Sequence, residues 1–181
     1  MSLQPLAAAL IHAPVVDRRG DLVTTAVTNL DLHDIARSAR TYGLKRFYVV
    51  SPVAEQQRLV GKLLGHWTEG AGGEYNPKRR QALELIRMFA SFDDVLADWR
   101  DVSGGEPMPF LTGASREDGI TFKECRNQLK QRPGLIVFGT GFPKGVRYMR
   151  VGDKEARESP GGETYNSKVF GVCGTKIVLV K

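Results

Sequence analysis

Short apolar runs alternate with amphipathic helical patterns along most of this 181-residue chain. Five of the runs predict β-strands, at about residues 6–13, 46–51, 85–90, 108–112 and 134–139. The segments between them predict helices, at about residues 31–42, 54–66, 92–100 and 121–131. Because a helix between two strands is typical of a crossover that joins parallel strands, we expect a single α/β domain over residues 1–181. Its sheet is mainly parallel, with helices on both faces.

Three other segments carry local signals. Residues 16–21 contain Asp and Gly and predict a turn between the apolar segments 6–15 and 22–27. Residues 69–77 contain three glycines and predict a long solvent-exposed loop. The alternative is that this loop, with the basic residues 78–80 that follow, closes over a ligand or phosphate. Residues 169–180 are rich in β-branched side chains and predict a strand rather than a helix.

The composition favours some classes of partner over others. The formal net charge of +6 and the isoelectric point near 9.5 favour contact with a polyanion such as nucleic acid. No apolar run is long enough to cross a bilayer, and the first residues lack a basic leader, so we expect a cytoplasmic protein with no membrane contact. Cys125 and Cys173 stand far apart, without the spacing of a metal site or a disulfide framework, so no metal is expected.

The first predicted helix has clear start and stop signals. Asn29 or Asp31 can cap it, and Gly43 can take the left-handed conformation that ends it. Its buried stripe is formed by Leu32, Ile35, Ala36 and Ala39. Arg37 and Arg40 then share one flank. Arg37 is either a functional side chain or a surface arginine paired with Asp34 or Asp31.

Two predicted strands run into turns of small residues: Phe110-Leu111-Thr112-Gly113 and Phe138-Gly139-Thr140-Gly141. Such turns let backbone N–H groups and a small hydroxyl approach a ligand at the carboxyl end of a sheet. Neither has the spacing of a dinucleotide fingerprint or a Walker lysine and serine, which disfavours NAD and nucleoside triphosphates. If the two strands are neighbours, the turns share a cleft; the alternative is two ordinary tight turns.

Four blocks of the sequence together resemble a bacterial family of α/β-knot (SPOUT) proteins that are predicted RNA methyltransferases: VTTAVTNLDLHDIARSARTYGLKRFYVVSP, HWTEGAGGEYNPKRRQAL, FLTGASR and FGTG. The similarity covers about residues 6–141, and Tyr165-Asn166 matches a later motif. The resemblance implies a Rossmann-like half followed by a trefoil knot that binds S-adenosylmethionine (SAM). It also implies a homodimer, in which an arginine of one subunit lies near the methyl donor of the other.

The resemblance also implies roles for particular residues. Arg37 corresponds to the arginine that contacts the substrate phosphate or nucleotide, and Asn29 and Asp31 are its polar neighbours; we take Arg37 and Asn29 as the candidate catalytic residues. The candidate cofactor-binding residues belong to the two turns and the later motif: Leu111, Thr112, Gly113, Phe138, Gly139, Thr140, Gly141, Tyr165 and Asn166.

The function implied by the resemblance is SAM-dependent methylation of a nucleotide of rRNA or tRNA, in which the nucleotide attacks the methyl group directly. Alignment supplies most of the rate, and a base is needed only when the nucleophile carries a proton. One alternative is a catalytically inactive α/β-knot protein that binds RNA or a nucleotide. Another is a small-molecule-binding or nucleotide-related enzyme of flavodoxin-like topology.

Two histidines and a tryptophan have open roles. His33, beside Asp34, is a candidate base, or else an exposed or capped residue. His12 lies in the first strand and is predicted to belong to the core. Trp67 either stacks on a base or fills the core beneath the glycine-rich segment.

Overall fold

The fold is taken from a computed structural model that describes residues 3–17, 19, 21–112, 120–139 and 176–178. The strands are β1 (Leu6–Ile11), β2 (Val15–Val16), β3 (Leu22–Val23), β4 (Arg46–Val50), β5 (Ile86–Phe89), β6 (Met108–Thr112), β7 (Gly134–Gly139) and β8 (Lys176–Val178). The helices are α1 (Asn29–Thr41), α2 (Ala54–Thr68), α3 (Ala71–Tyr75), α4 (Pro77–Leu83), α5 (Phe92–Ser103) and α6 (Phe122–Gln128).

The described residues contain a six-stranded sheet in the order β5-β4-β1-β7-β6-β8. Every pairing in it is parallel, as predicted. The register places Ile11 beside both Val50 and Gly139, so the carboxyl ends of β1, β4 and β7 meet at one edge. The strand predicted over residues 169–180 is confirmed for β8. The predicted knot depends on residues 140–175, which lie outside the described part of the chain.

Helices cover both faces of the sheet, which confirms the α/β class. On one face, alternate residues of β1, Ala8 and Leu10, pack in a core with residues of α1, α2 and α4. On the other face, Ala7, Ala9 and Ile11 pack in a core with α5. Because successive strand side chains point to opposite faces, this nearly continuous apolar strand serves both cores.

The first apolar run is two strands rather than one, because β1 ends at Ile11 and β2 begins at Val15. Pro14 lies in the interruption and has no N–H to donate to a ladder. The turn predicted over residues 16–21 is confirmed. The Asp17 carboxylate accepts hydrogen bonds from the backbone N–H of Arg19 at 2.7 Å and of Asp21 at 3.0 Å, between the antiparallel strands β2 and β3.

The prediction of a long loop over residues 69–77 is wrong, because most of this segment is helical. Residues 71–75 form α3, and Pro77 begins α4 with its N-cap Asn76 accepting a hydrogen bond from the backbone N–H of Arg79 at 3.0 Å. Gly72 and Gly73 are buried. A Cβ on Gly73 would overlap the carbonyl oxygen of Trp67. These glycines therefore permit close packing of α3 on the end of α2, rather than flexibility.

His12 is fully buried at the end of β1, as predicted. Its Nδ1 lies 3.1 Å from the Thr25 hydroxyl, and its buried Nε2 has no hydrogen-bond partner among the described residues. Burial lowers the pKa of His12 below its ordinary value of 6.5, and the nearby Asp31 only partly opposes this. The folded protein therefore holds His12 neutral.

We expect the melting temperature to fall between pH 7.5 and pH 5.0, partly because of His12. Below about pH 6.5 the unfolded chain takes up a proton at this position more readily than the folded chain, so acid favours unfolding. The same holds for His33, whose pKa is also lowered. His12→Gln should show a smaller fall than the wild-type protein, because it removes the buried imidazole. Equal falls in the two proteins would contradict this account.

Candidate functional site

The two predicted glycine turns begin at the same edge of the sheet. β6 and β7 are adjacent and parallel, with Leu111 paired with Val137, so Thr112 and Gly139 both stand at their carboxyl ends. The Thr112 hydroxyl donates a hydrogen bond to the carbonyl oxygen of Val137 at 3.0 Å and joins the two strands there. The remaining predicted cofactor residues lie outside the described part of the chain: Gly113, Thr140, Gly141, Tyr165 and Asn166.

The side chains next to these strand ends point to opposite faces. Leu111 is buried in the core beneath α5, so it supports the edge from within. Phe138 is partly buried and packs in the core shared with α1, together with Val27 and Leu32. The beginning of α1 therefore lies on the Phe138 side of this edge.

The start of α1 differs in one detail from the prediction. Thr28, rather than Asn29 or Asp31, is the N-cap: its hydroxyl accepts a hydrogen bond from the backbone N–H of Asp31 at 3.2 Å and donates one to the Asp31 carboxylate at 2.6 Å. Thr28 has the extended backbone of a cap residue, directly before the first helical residue. Asn29 is exposed in the first turn. Gly43, with φ +71°, ends the helix as predicted.

Arg37 projects from the exposed side of α1. Its Nη1 lies 3.4 Å from the Asp34 carboxylate, and both side chains are more than 60% exposed, at 63% and 64%. The predicted ion pair with Asp34 is therefore present, but it is long and open to solvent, so it contributes little to stability. Arg40, by contrast, donates to the Gln81 side chain of α4 at 2.8 Å and joins the two helices.

Between α1 and α2 lies a groove of about 600 Å³, here called the α1–α2 groove. Its lining combines apolar, aromatic and charged residues: Asn29, Leu30, His33, Asp34, Arg37, Leu59, Lys62, Leu63, His66, Trp67 and Arg79. The structure thus brings the two candidate catalytic residues, Asn29 and Arg37, into one groove. The described residues of the strand-end edge are not part of its lining.

One wall of the groove is built around Trp67. The Arg79 guanidinium carbon lies 4.9 Å from the centre of the Trp67 ring system, in a cation–π contact. His33 and His66 meet the same ring edge-on, with ring centroids 5.5 and 5.2 Å away. Arg79 was not among the candidate catalytic or cofactor-binding residues, although it belongs to the basic residues 78–80 of the alternative in which this segment contacts a ligand or phosphate. The signal for it was the Asn76-Pro77 helix start, which places Arg79 in the first turn of α4.

His33 is half-buried beside these charges, and its buried Nδ1 has no hydrogen-bond partner among the described residues. Burial lowers its pKa, and so do the positive charges of Arg79 and, to a lesser extent, Arg37; Asp34 opposes them. His33 is therefore a neutral imidazole at neutral pH, which can accept a proton. It is half-buried rather than exposed.

The charge of the groove is mainly positive. Among its lining residues, Arg37, Lys62 and Arg79 carry positive charge and Asp34 alone is acidic. Within the described ranges, Lys62 and Arg79 make no ion pair, and Asp34 is already paired with Arg37. Leu30 and Leu59 are 73% and 53% exposed at its rim. This surface suits a ligand that is both anionic and planar.

Within the described ranges, no helix is long and apolar enough to cross a membrane. No group of three or more His, Cys, Asp or Glu side chains there is arranged to hold a metal ion. Cys125 is a partly buried free thiol whose pKa is raised by burial, and Cys173 lies outside the described residues.

Comparison with known proteins identifies relatives over most of the chain. Residues 5–160 match a family model described as SAM-dependent RNA methyltransferase. Two relatives are named tRNA (guanine-N(1)-)-methyltransferase: one from Oleidesulfovibrio alaskensis, 38% identical over 73% of this chain, and one from Nitratidesulfovibrio vulgaris, 44% identical over 74% of it. An uncharacterized protein of Aquifex aeolicus is 34% identical over 74% of this chain. The match spans 31% of the length of each named relative and 66% of the Aquifex protein.

Proposed function

The chain belongs to the SAM-dependent RNA methyltransferase family, and we propose that it transfers the methyl group of SAM to a nucleotide of structured RNA. The observation that carries the proposal is the arrangement of two strand ends, those of β6 and β7, at one edge of a parallel sheet, with Arg37 and Asn29 exposed on α1, which covers the same face of the sheet as Phe138. Ligands of open parallel sheets bind beyond the carboxyl ends of the strands.

The described part of this edge fits a cofactor of this kind. Thr112 and Gly139 stand at the ends of adjacent strands, and the Thr112 hydroxyl joins these strands. We assign SAM binding to the edge residues Leu111, Thr112, Phe138 and Gly139, and to the five predicted residues outside the described ranges. When bound, SAM supplies an activated methyl group on its sulfonium.

The roles of the side chains follow from their chemistry. Arg37 stays protonated, so it positions the RNA through the planar fork of its guanidinium, which suits phosphate, rather than removing a proton. Asn29 offers an amide donor and acceptor to the target nucleotide. His33, held neutral, accepts the proton when the attacking atom carries one. Alignment of the nucleotide with the methyl group is the largest contribution expected of such a site.

We further propose that the protein works in the cytoplasm as a twofold homodimer with the knotted topology of the α/β-knot family, and that residues 1–181 act as one domain. The support is the resemblance in the first motif, since that family places its arginine near the partner's methyl donor. Light scattering should give twice the 20.0 kDa mass of the chain at micromolar concentration. A monomer would rule out an active site shared between subunits.

tRNA is the first substrate class to test, because two relatives are named for tRNA guanine methylation. The match covers about a third of the length of those proteins, so their RNA specificity depends on chains much longer than the matched part. Unmodified rRNA therefore belongs in the same experiment.

The test combines SAM titration by calorimetry with transfer of a tritiated methyl group to unmodified tRNA and rRNA. We expect SAM to bind and one of the two RNAs to gain label. If SAM binds and neither RNA is labelled, the inactive RNA-binding alternative replaces this proposal. If SAM does not bind at all, the cofactor assignment is wrong.

A further inference from the structure

The α1–α2 groove contains more binding surface than the proposed role of Arg37 uses. Arg79 is held over Trp67 at 4.9 Å yet makes no ion pair within the described ranges, and neither does Lys62 across the groove lining. Arg80, the sequence neighbour of Arg79, differs in both respects: it pairs with Glu84 at 2.9 Å, and it does not line the groove. Lys62 and Arg79 therefore place positive charge in the groove that no carboxylate of the described residues pairs with.

The tight packing around Trp67 suggests why Arg79 is held in place. A Cβ on Gly72 would lie 2.9 Å from Trp67 Cε3, so α3 packs directly against the indole. The two histidines occupy other positions around the ring. With the indole so enclosed, Arg79 is the planar group of this cluster best placed to receive a ring from the groove. Guanidinium planes stack on nucleobases in RNA-binding sites.

We propose that the α1–α2 groove binds a nucleotide of the RNA next to the one that is methylated, with its base stacked on Arg79 and its phosphate held by Lys62. This inference rests on the proposed function for its substrate class. Exposed Leu30 and Leu59 provide an apolar rim for the base, and the positive lining matches the phosphate. Arg37, which is proposed to contact the methylated nucleotide, lines the same groove. The nucleotide bound in the groove would therefore be a neighbour of the methylated one in the RNA.

Charge also argues against a second copy of this chain as the occupant. A twofold contact through the groove would bring Lys62 and Arg79 of two subunits close together, with only Asp34 as a lining carboxylate, and Asp34 is already paired. RNA, in contrast, supplies one negative charge for each nucleotide.

The test measures binding of a fluorescently labelled unmodified tRNA transcript without SAM. We expect Arg79→Ala to weaken binding about tenfold. We expect Arg79→Lys to recover little, because an ammonium group cannot stack. Lys62→Ala should lower the slope of log affinity against log salt by about one. Arg80→Ala and Arg58→Ala remove the same charge outside the groove, from residues already paired with Glu84 and Glu55, and should bind nearly as wild type.

A second readout comes from tryptophan fluorescence. The chain has two tryptophans, and Trp99 is fully buried, so quenching by RNA should report on Trp67. Unchanged affinity in Arg79→Ala and Lys62→Ala overturns the groove assignment, while methyl transfer by the same proteins decides the proposed function separately. If Arg79→Ala and Lys62→Ala lose no more affinity than the two control variants, the effect is one of net charge, and the groove assignment is also wrong. A halved mass of Arg79→Ala in light scattering would make the groove a subunit interface instead.

Discussion

Arg37→Ala is expected to reduce methyl transfer by about a hundredfold or more, while the melting temperature and SAM affinity stay close to wild type. The loss follows from the proposed alignment of the RNA by the guanidinium, since small misplacements of reacting groups cost about this much. The unchanged stability follows from the structure. The Arg37 side chain is 63% exposed, and its ion pair with Asp34 is 3.4 Å long. Tritiated methyl transfer, calorimetry and thermal melting measure the three quantities.

Two further variants test this interpretation, one at position 37 and one at a control position. Arg37→Lys should recover little activity, because a point charge does not reproduce a bidentate fork. Arg58→Ala is the matched control: Arg58 is also exposed, and it pairs with Glu55 three residues earlier, at 2.6 Å. Arg58→Ala should leave transfer intact. If Arg37→Ala melts several degrees lower with full activity, Arg37 is a structural ion-pair residue and its catalytic role is wrong.

Gly73→Ala is expected to lower the free energy of unfolding by about 1–3 kcal/mol, the usual cost of an added group in a tightly packed position. The new Cβ would overlap the Trp67 carbonyl oxygen and approach the Arg80 side chain at 3.1 Å. Backbone cannot move aside as a flexible side chain does, so α3 must shift from α2. Because α3 packs against Trp67, the same variant should weaken RNA binding while SAM affinity is kept.

The control for this prediction is Gly61→Ala in α2. A Cβ on Gly61 meets nothing within 4 Å, and its position is in the helix interior. Alanine there should stabilise the protein by up to about 1 kcal/mol, through helix propensity alone. Denaturant unfolding measures both variants. If Gly73→Ala lowers the free energy of unfolding and Gly61→Ala raises it, the packing explanation is supported. A change of the same sign in both variants would contradict it.

Much of the fold could be predicted because its signals are local. Apolar runs of strand length separated by helical patterns indicated a parallel sheet, and the strands from β4 to β7 lie within one or two residues of the predicted bounds. The core position of His12 and the end of α1 at Gly43 were also predicted. In each case the deciding property, periodicity or backbone preference, belongs to a few neighbouring residues.

The glycine-rich segment shows where local reasoning failed. Glycine is common in flexible loops, so residues 69–77 predicted a loop, yet Gly72 and Gly73 are buried in α3. Their role is set by Trp67, which packs so closely that no side chain fits. Composition does not distinguish a glycine that makes a loop flexible from one that allows two helices to pack closely. The difference depends on the packing partner, here Trp67, which lies in another helix.

The amino-acid sequence by itself determined the α/β class and most of the strand and helix positions, and its resemblance to a known family singled out two candidate catalytic residues of α1. Only the tertiary structure decided that β7 lies between β1 and β6, and that α1, α2 and α4 place Arg37, Lys62, Trp67 and Arg79 around one groove. The physical reason is that hydrophobic periodicity is encoded within each segment. The neighbours of a segment, in contrast, are set by how all segments together bury their apolar faces.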